Sequence, residues 1–346
     1  MRVMKTTQLL FSLSLLLFSS CSSEKENTID MKVTDFPVNS SLKAHVMDIP
    51  PVAITPLNLF ITKDKLVMFN MQKDTIFDVF KLPACEYLFA AGGKGEGPND
   101  FFDIDRRLFI PTDKGFKVFF QGHKALKEAE IQENAIKIVP EQTLKFDIDQ
   151  YPLNGFTLVN DTSYIYWSGF GAETEYNLLN AKTQESKPFS PYPEWCKSDV
   201  QEDKMFTYVK NVTAKPDGKM FAAFYGYFKK FRIYDCQGNL LKDVSVEINP
   251  YDESLTKESR TEFYFAYPQS SDNYMYALCR NADRQTEVNP ELQIWKWDGT
   301  PVGRYQLDRQ ISLFTVSEEY GKIYAINGEI EDEIYVYELP DIIKSE

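Results

Sequence analysis

Apolar and aromatic residues alternate with polar ones over short runs along most of the chain. Examples are Lys65-Leu66-Val67-Met68-Phe69, Phe116-Lys117-Val118-Phe119, Phe231-Arg232-Ile233-Tyr234 and Glu333-Ile334-Tyr335-Val336-Tyr337. A period of two in sequence rich in Val, Ile, Tyr and Phe predicts strands rather than helices. Helical spacing is scarce. Only residues 124–130 and 250–260 suit a short helix, and both are polar enough to be loop insertions instead.

The strands recur in sets. One alternating strand per set precedes a turn or a charged pair, centred near Phe77, Lys117, Asn177, Arg232, Gln293 and Tyr335, at intervals of 40, 60, 55, 61 and 42 residues. Spans of that size fit four-stranded blades and predict an all-β, six-bladed β-propeller over residues 42–346. Lys215-Pro216-Asp217-Gly218-Lys219 joins two strand-like runs, with Asp-Gly placed to supply the positive φ of a tight hairpin. Asp235-Cys236-Gln237-Gly238-Asn239 and Trp297-Asp298-Gly299-Thr300-Pro301 carry the same signal.

A blade runs from strand A at the axis to strand D at the rim. Its A–B and C–D turns therefore lie on one face of the disc, and its B–C and D–A connections on the other. The tight turns belong to the first face. The longer stretches Ser168-Gly169-Phe170-Gly171, Tyr225-Gly226-Tyr227-Phe228, 281–290 and 328–333 are expected as B–C loops, and 92–101 as a D–A loop. After residues 334–338 little chain remains, with Pro340 in it, so the last blade lacks an outer strand. Residues 42–49 are strand-like and predict that strand, sealing the ring from the N-terminal side.

Two short motifs carry a family resemblance. Pro216-Asp217-Gly218-Lys219 resembles the hairpin of TolB-like propellers. Gly95-Glu96-Gly97-Pro98-Asn99-Asp100-Phe101 resembles the Gly-x-Gly-Pro-x-Glu-Phe loop of six-bladed propeller lipoproteins of gut-type anaerobic bacteria, with Asp100 where that family usually has Glu. The resemblance implies a fold and an address at the cell envelope more than an activity.

Loops on a rigid scaffold are where binding residues gather. Lys94, Asn99 and Asp100 from the Gly-Pro loop, with Phe170, Tyr225, Tyr227, Asn281 and Arg284 from B–C loops, are the candidate ligand-binding residues, expected together near the channel mouth. They mix donors, acceptors and flat apolar surface, which suits a glycan, a peptide or a partner protein. The glycines at 92, 93, 95 and 97 read as positive-φ positions of a tight connection, since no Gly-Lys-Ser/Thr follows to make a phosphate cradle.

Catalytic chemistry finds little material. His45 and His123 are the only histidines, and neither has a second His or a Cys at metal-ligand spacing. No catalytic residue, metal or cofactor is assigned. Carboxylate pairs such as Asp103 with Asp105 and Glu173 with Glu175 are expected on solvated faces in a chain this acidic. The rival to a non-catalytic binding module is a carboxylate-dependent hydrolase or lyase acting on an envelope glycan, which needs two acids converging at the channel mouth.

The N-terminus sets the address. Arg2 and Lys5 precede an apolar run over residues 9–18, and Ser19-Ser20-Cys21 follows. The run is too short to span a bilayer, which takes roughly 20 residues, so residues 1–20 read as a signal peptide. The Cys after two small residues resembles a lipoprotein site, giving lipidation at Cys21, a tether over residues 21–41 and a lipid-anchored protein of the envelope, with the outer membrane as its place. Losing residues 1–20 removes two basic residues and no acid, taking the net charge from −13 to −15. Nucleic acid and anionic lipid headgroups would repel such a domain. Cys85, Cys196, Cys236 and Cys279 form no CxxC pair and leave open three disulfide pairings or buried free thiols.

Overall fold

The computed structural model describes residues 29–71, 74–150, 153–195, 202–248, 261–283 and 285–344. They build six antiparallel blades in chain order around one axis. The first holds Pro56–Thr62, Lys65–Asn70, Thr75–Lys81 and Glu86–Gly93; the second Ile104–Pro111, Gly115–Phe120, Ala125–Ile131 and Ile136–Lys145. The third holds Thr157–Asn160, Ser163–Trp167, Thr174–Asn180 and Ser186–Pro191; the fourth Lys210–Ala214, Met220–Tyr225, Lys230–Asp235 and Leu240–Val246. The fifth holds Gln269–Ser270, Tyr274–Cys279, Glu291–Lys296 and Pro301–Leu307; the sixth begins with Leu313–Ser317, Lys322–Ile326 and Glu333–Glu338. Leu313–Ser317 and Pro56–Thr62 lie in contact, so the innermost strands of the last and first blades meet at the axis.

The outermost strand of the sixth blade is His45–Asp48, antiparallel to Glu333–Glu338 with Val46 opposite Tyr335 and Met47 opposite Ile334. From Asp48 the chain runs on into the inner strand of the first blade, so one segment belongs to both ends of the ring.

Two further strands precede it. Asp30–Val33 lies parallel on the rim of the fourth blade and Asn39–Leu42 parallel on the rim of the fifth. The tether expected over 21–41 is therefore corrected from residue 30 onward. Met31, Val33 and Phe36 are the reason: Val33 and Phe36 are buried in the core between the fourth and fifth blades, and the Phe36 ring meets Trp295 edge-on at 4.8 Å. A few apolar residues in a polar stretch suffice where a sheet edge needs cover.

Residues 124–130 are corrected as well. Ala125–Ile131 is the third strand of the second blade, paired on both sides despite Lys127, Glu128 and Glu130. Pairing to two neighbours overrides a polar composition. Lys117 belongs to the second strand of that blade, and taking Glu128 as the centre instead turns the uneven intervals of 40 and 60 residues into 51 and 49. The other helix candidate, 250–260, lies outside the described residues.

Every neighbouring pair of blades encloses its own apolar core. Phe77, Phe109 and Phe116 pack between the first and second blades, and Phe119, Phe156 and Tyr164 between the second and third. Tyr176, Phe221 and Tyr234 fill the next interface, followed by Phe231 with Trp295, Leu292 with Tyr335, and Leu66 with Tyr324. A blade is thus covered on both faces, and the middle strands have no solvent side.

Deleting residues 29–50 strips outer strands from three consecutive blades and is expected to lower Tm by on the order of 10 °C. Deleting 29–42 alone leaves the sixth blade complete and should cost less than half of that. Equal losses in differential scanning calorimetry would show that the fifth strands, rather than the closing strand, hold the ring.

Candidate functional site

Inner strands start on the face that carries the B–C and D–A connections, so their first residues ring the axis there. An axial cavity of about 590 Å³ runs between them. Arg107, Trp167, Lys210 and Tyr267 line its end on that face, and Asp161 and Lys215 line the end at the tight turns. Asp161 is the one carboxylate among the described lining residues.

Lys210 opens the inner strand of the fourth blade, and its side chain is only 3% exposed. Its Nζ lies 2.8 Å from Glu175 Oε1, on a glutamate that is fully buried in the third blade. Glu175 also accepts from the Tyr225 hydroxyl at 2.8 Å, Ser190 Oγ at 3.1 Å and Arg232 Nη1 at 3.2 Å, while Arg232 Nε donates to Asp243 at 2.8 Å. Around Nζ stand the rings of Tyr176 at 4.8 Å, Tyr192 at 5.0 Å, Tyr225 at 5.7 Å and Trp167 at 6.0 Å. Burial pulls the Lys210 ammonium below its usual pKa, and the Glu175 carboxylate opposes that. Two cations face two carboxylates in a water-poor interface. Removing one member of such an array costs about 3–5 kcal/mol, because its partners stay buried without it.

Arg107 differs. It is half-buried, its guanidinium stacks over the Trp167 ring at 5.2 Å, and its Nη1 reaches Asn154 Oδ1 at 3.4 Å. No carboxylate oxygen of the described residues forms an ion pair with it. Asp105, two residues back, is 1% exposed and accepts the Arg107 backbone N–H at 2.9 Å, while its Oδ2 has no hydrogen-bond partner. Burial pushes the Asp105 carboxyl above the usual range, opposed by that backbone N–H and by the charges of Arg107 and Arg106.

Of the residues expected to bind ligand, those described sit on the expected face but away from the axis. None of these lines the axial cavity. The loops that carry them leave the middle and outer strands, so their tips spread over the disc, and only inner-strand starts reach the channel mouth. Lys94 Nζ donates to the Met71 carbonyl at 3.0 Å, and Asn99 Oδ1 accepts from the Ile138 N–H at 3.2 Å. Asp100 lies beside a second cavity of about 540 Å³, between the Gly-Pro loop and His123 and Lys127. Phe170 is 78% exposed, Tyr227 is half-buried and Asn281 is exposed. Tyr225 is a correction: it ends a strand, is fully buried and serves Glu175 rather than a ligand. Arg284 and Cys21 lie outside the described residues.

The Gly-Pro loop is organised by Asp100. Its Oδ2 accepts the Gly97 N–H at 2.9 Å, and a Cβ at Gly95 or Gly97 would stand 2.5 or 2.7 Å from that oxygen. A Cβ at Gly93 would collide with Oδ1. Of these glycines only Gly92 has a positive φ, +80°, so close approach of a carboxylate, and not left-handed backbone, demands the other three.

The expectation of solvated carboxylate pairs fits Glu173, which is exposed and pairs with Lys204, but not Glu175 or Asp105. Lys210 and Arg232 carried no sequence signal. They occupy polar slots of alternating strands that look solvent-facing, and both faces of a propeller blade are covered. Cys85 and Cys279 are buried free thiols, Cys236 is a half-buried one, and Cys196 lies outside the described residues.

Six four-stranded blades around an open axis, closed through the N-terminal segment, define a β-propeller of the six-bladed class. Residues 35–319 match the model of the TolB-like 6-blade propeller-like family, and the chain belongs to it. No curated protein matches the chain. Among solved structures it is similar to a member of the DUF4221 family from Bacteroides vulgatus ATCC 8482, at 11% identity and a TM-score of 0.58, over 86% of this chain and 97% of that one. It is also similar to a protein designated as exported from Bacteroides fragilis NCTC 9343, at 8% identity and a TM-score of 0.53, over 90% of this chain and 99% of that one. At these identities the likeness concerns the fold.

Gly97→Ala is expected to lose about 1–3 kcal/mol in denaturant unfolding through the forced contact with Asp100. In an Asp100→Ala background the same change should cost at least about 1 kcal/mol less. Additive losses would remove the carboxylate as the cause.

Asp105 gives a pH prediction. A carboxyl whose folded pKa exceeds its unfolded value keeps its proton longer in the folded state, so stability falls as pH rises above about 4 through that window. Asp105→Asn, which keeps an acceptor for the Arg107 N–H, should melt higher than the wild type at pH 7, with the gain shrinking towards pH 4. A gain that stays constant between those pH values would contradict the assignment.

Proposed function

We propose that this protein is an exported lipoprotein, anchored through Cys21 at the outer membrane, that works as a non-catalytic binding module for a glycan, a peptide or an envelope protein. The face with the B–C and D–A connections is its working surface. One observation carries the reading: where large apolar side chains are left in water. Met71, Phe102, Phe170 and Phe206 lie in connections on that face and are 46, 57, 78 and 47% exposed. The other exposed large apolar side chains among the described residues, Ile29, Leu88, Leu241 and Ile342, are 46, 38, 38 and 38% exposed and lie at blade rims or after the last strand, towards the opposite face. The two most exposed, Phe102 and Phe170, both lie on the B–C and D–A face, and large apolar groups left in water on a rigid scaffold mark an interaction surface. Lys94, Asn99, Tyr227 and Asn281 supply polar groups on the same face. The short apolar run before Cys21 supports export, as does the designation of the Bacteroides fragilis neighbour as exported.

Capture from the native envelope tests the reading. Lipidated protein carrying Phe102→Ser, Phe170→Ser and Phe206→Ser together should keep its Tm and recover its partner about tenfold less well. Cys21→Ala should move the protein from the membrane to the soluble fraction. Incubation with envelope and dietary glycans should release no sugar. Released sugar that disappears with a carboxylate variant would replace the binding module by a hydrolase or lyase. Full recovery by the triple variant would put the interaction on another surface.

A further inference from the structure

The axial cavity and the loop face are different places, and the cavity has a chemistry of its own. Its volume of about 590 Å³ falls within the ordinary range for small-molecule sites. The charges around it nearly cancel. Lys210 is neutralised by Glu175, and Lys215 pairs with Asp217 at 2.7 Å. At the end away from the tight turns one lining cation is left over, Arg107. Its neighbour Asp105 is buried and turned to the Arg107 backbone N–H, and it makes no ion pair with the guanidinium. The guanidinium lies over the Trp167 ring, and its Nη1 contacts Asn154.

Arginine presents its donors in a planar fork that matches a carboxylate through two parallel hydrogen bonds. The rest of the wall mixes apolar side chains with hydrogen-bonding ones: Asn211, Gln269 and Thr315 contribute amide and hydroxyl groups, while the Tyr267 phenol is engaged with Arg106. Arg106 stands beside it but is exposed and does not line the cavity, so the wall itself presents one unpaired cation and calls for a single negative charge. That favours a carboxylate over a phosphate, which would bring a second charge into a wall whose other cations are already paired.

We propose that the axial cavity binds a small polyhydroxylated carboxylate, of the sugar-acid class, with the Arg107 fork on its carboxylate and the amide and hydroxyl wall on its hydroxyls. This deepens the reading of the protein as a binding module by naming a second site and the chemistry it selects. It also sets the site against the protein's overall negative charge: an acidic ligand is repelled by the surface and captured only at the axis. Added salt therefore screens two opposed effects, the repulsion on approach and the attraction at Arg107.

Isothermal titration of the purified protein with glucuronate and with glucose tests the proposal. The two probes share a ring and differ at the carboxylate. Glucuronate should bind at least about tenfold more tightly than glucose, and Arg107→Gln should abolish that preference. Arg107→Lys, which keeps the charge and loses the fork, should retain part of it. The melting temperature of each variant without ligand reports whether it is folded, and the lysine variant serves if the glutamine one is not. Inorganic phosphate at equal concentration should not displace glucuronate. Equal binding of the two sugars, an unchanged preference in Arg107→Gln, displacement by phosphate, or no binding of either sugar would each overturn the proposal. None of those results would touch the loop-face reading, which rests on partner capture by the Phe102, Phe170 and Phe206 variant.

Discussion

No blade of this propeller has a face of its own to spare. Each is buried on both sides by its neighbours, so the ring is stable only when it is complete, and completion rests on four residue pairs between the two ends of the chain: His45 to Asp48 against Glu333 to Val336. Backbone groups extend the join. The N–H groups of Ile49, Val52 and Ala53 donate to the carbonyls of Asp332 and Glu331, which ties the chain entering the first blade to the acidic loop of the last. An acidic run that reads as a solvated loop is, through its backbone, part of the seam.

The second dependence is electrostatic. Between the third and fourth blades, Glu175, Lys210, Arg232 and Asp243 form a buried, charge-balanced array with Tyr225 and Ser190 satisfying the remaining lone pairs of Glu175. Apolar residues of the same volume could be equally stable there. What they could not do is hold an ammonium group in the channel wall with its charge neutralised from behind. The array leaves Arg107 as the lining cation at that end of the axis that has no ion pair among the described residues.

Much of the fold was legible in the sequence because strand alternation and tight turns are local signals. The Asp-Gly turn at 217–218 and the turns ending in Gly238 and Gly299 lie on the A–B and C–D side, and all three glycines have positive φ. Alternation failed where a strand is polar, as at Lys127, Glu128 and Glu130, and where a few apolar residues sit in polar surroundings, as at Met31, Val33 and Phe36. The site was less legible. Phe170 stands where the loop assignment puts it, but Tyr225 shows the limit: one position separates a loop aromatic from the last, wholly buried residue of a strand. Glu175, Lys210 and Arg232 come together from two blades across a long stretch of sequence, and no spacing along the chain brings such a set to notice. Asp100 was visible as a motif residue, yet its work, holding three glycines against one carboxylate, is a matter of close approach that sequence does not display.

The order of the three N-terminal strands has a mechanical consequence. Whatever holds the chain upstream of residue 29 pulls first on Asp30–Val33, then on Asn39–Leu42, and only after both on the closing strand His45–Asp48. Each of the first two must come away from its rim strand, four residue pairs at a time, before load reaches the third. Drag on the N-terminal end is thereby spent on the rims of the fourth and fifth blades, and the seam that keeps the ring shut lies behind two clasps.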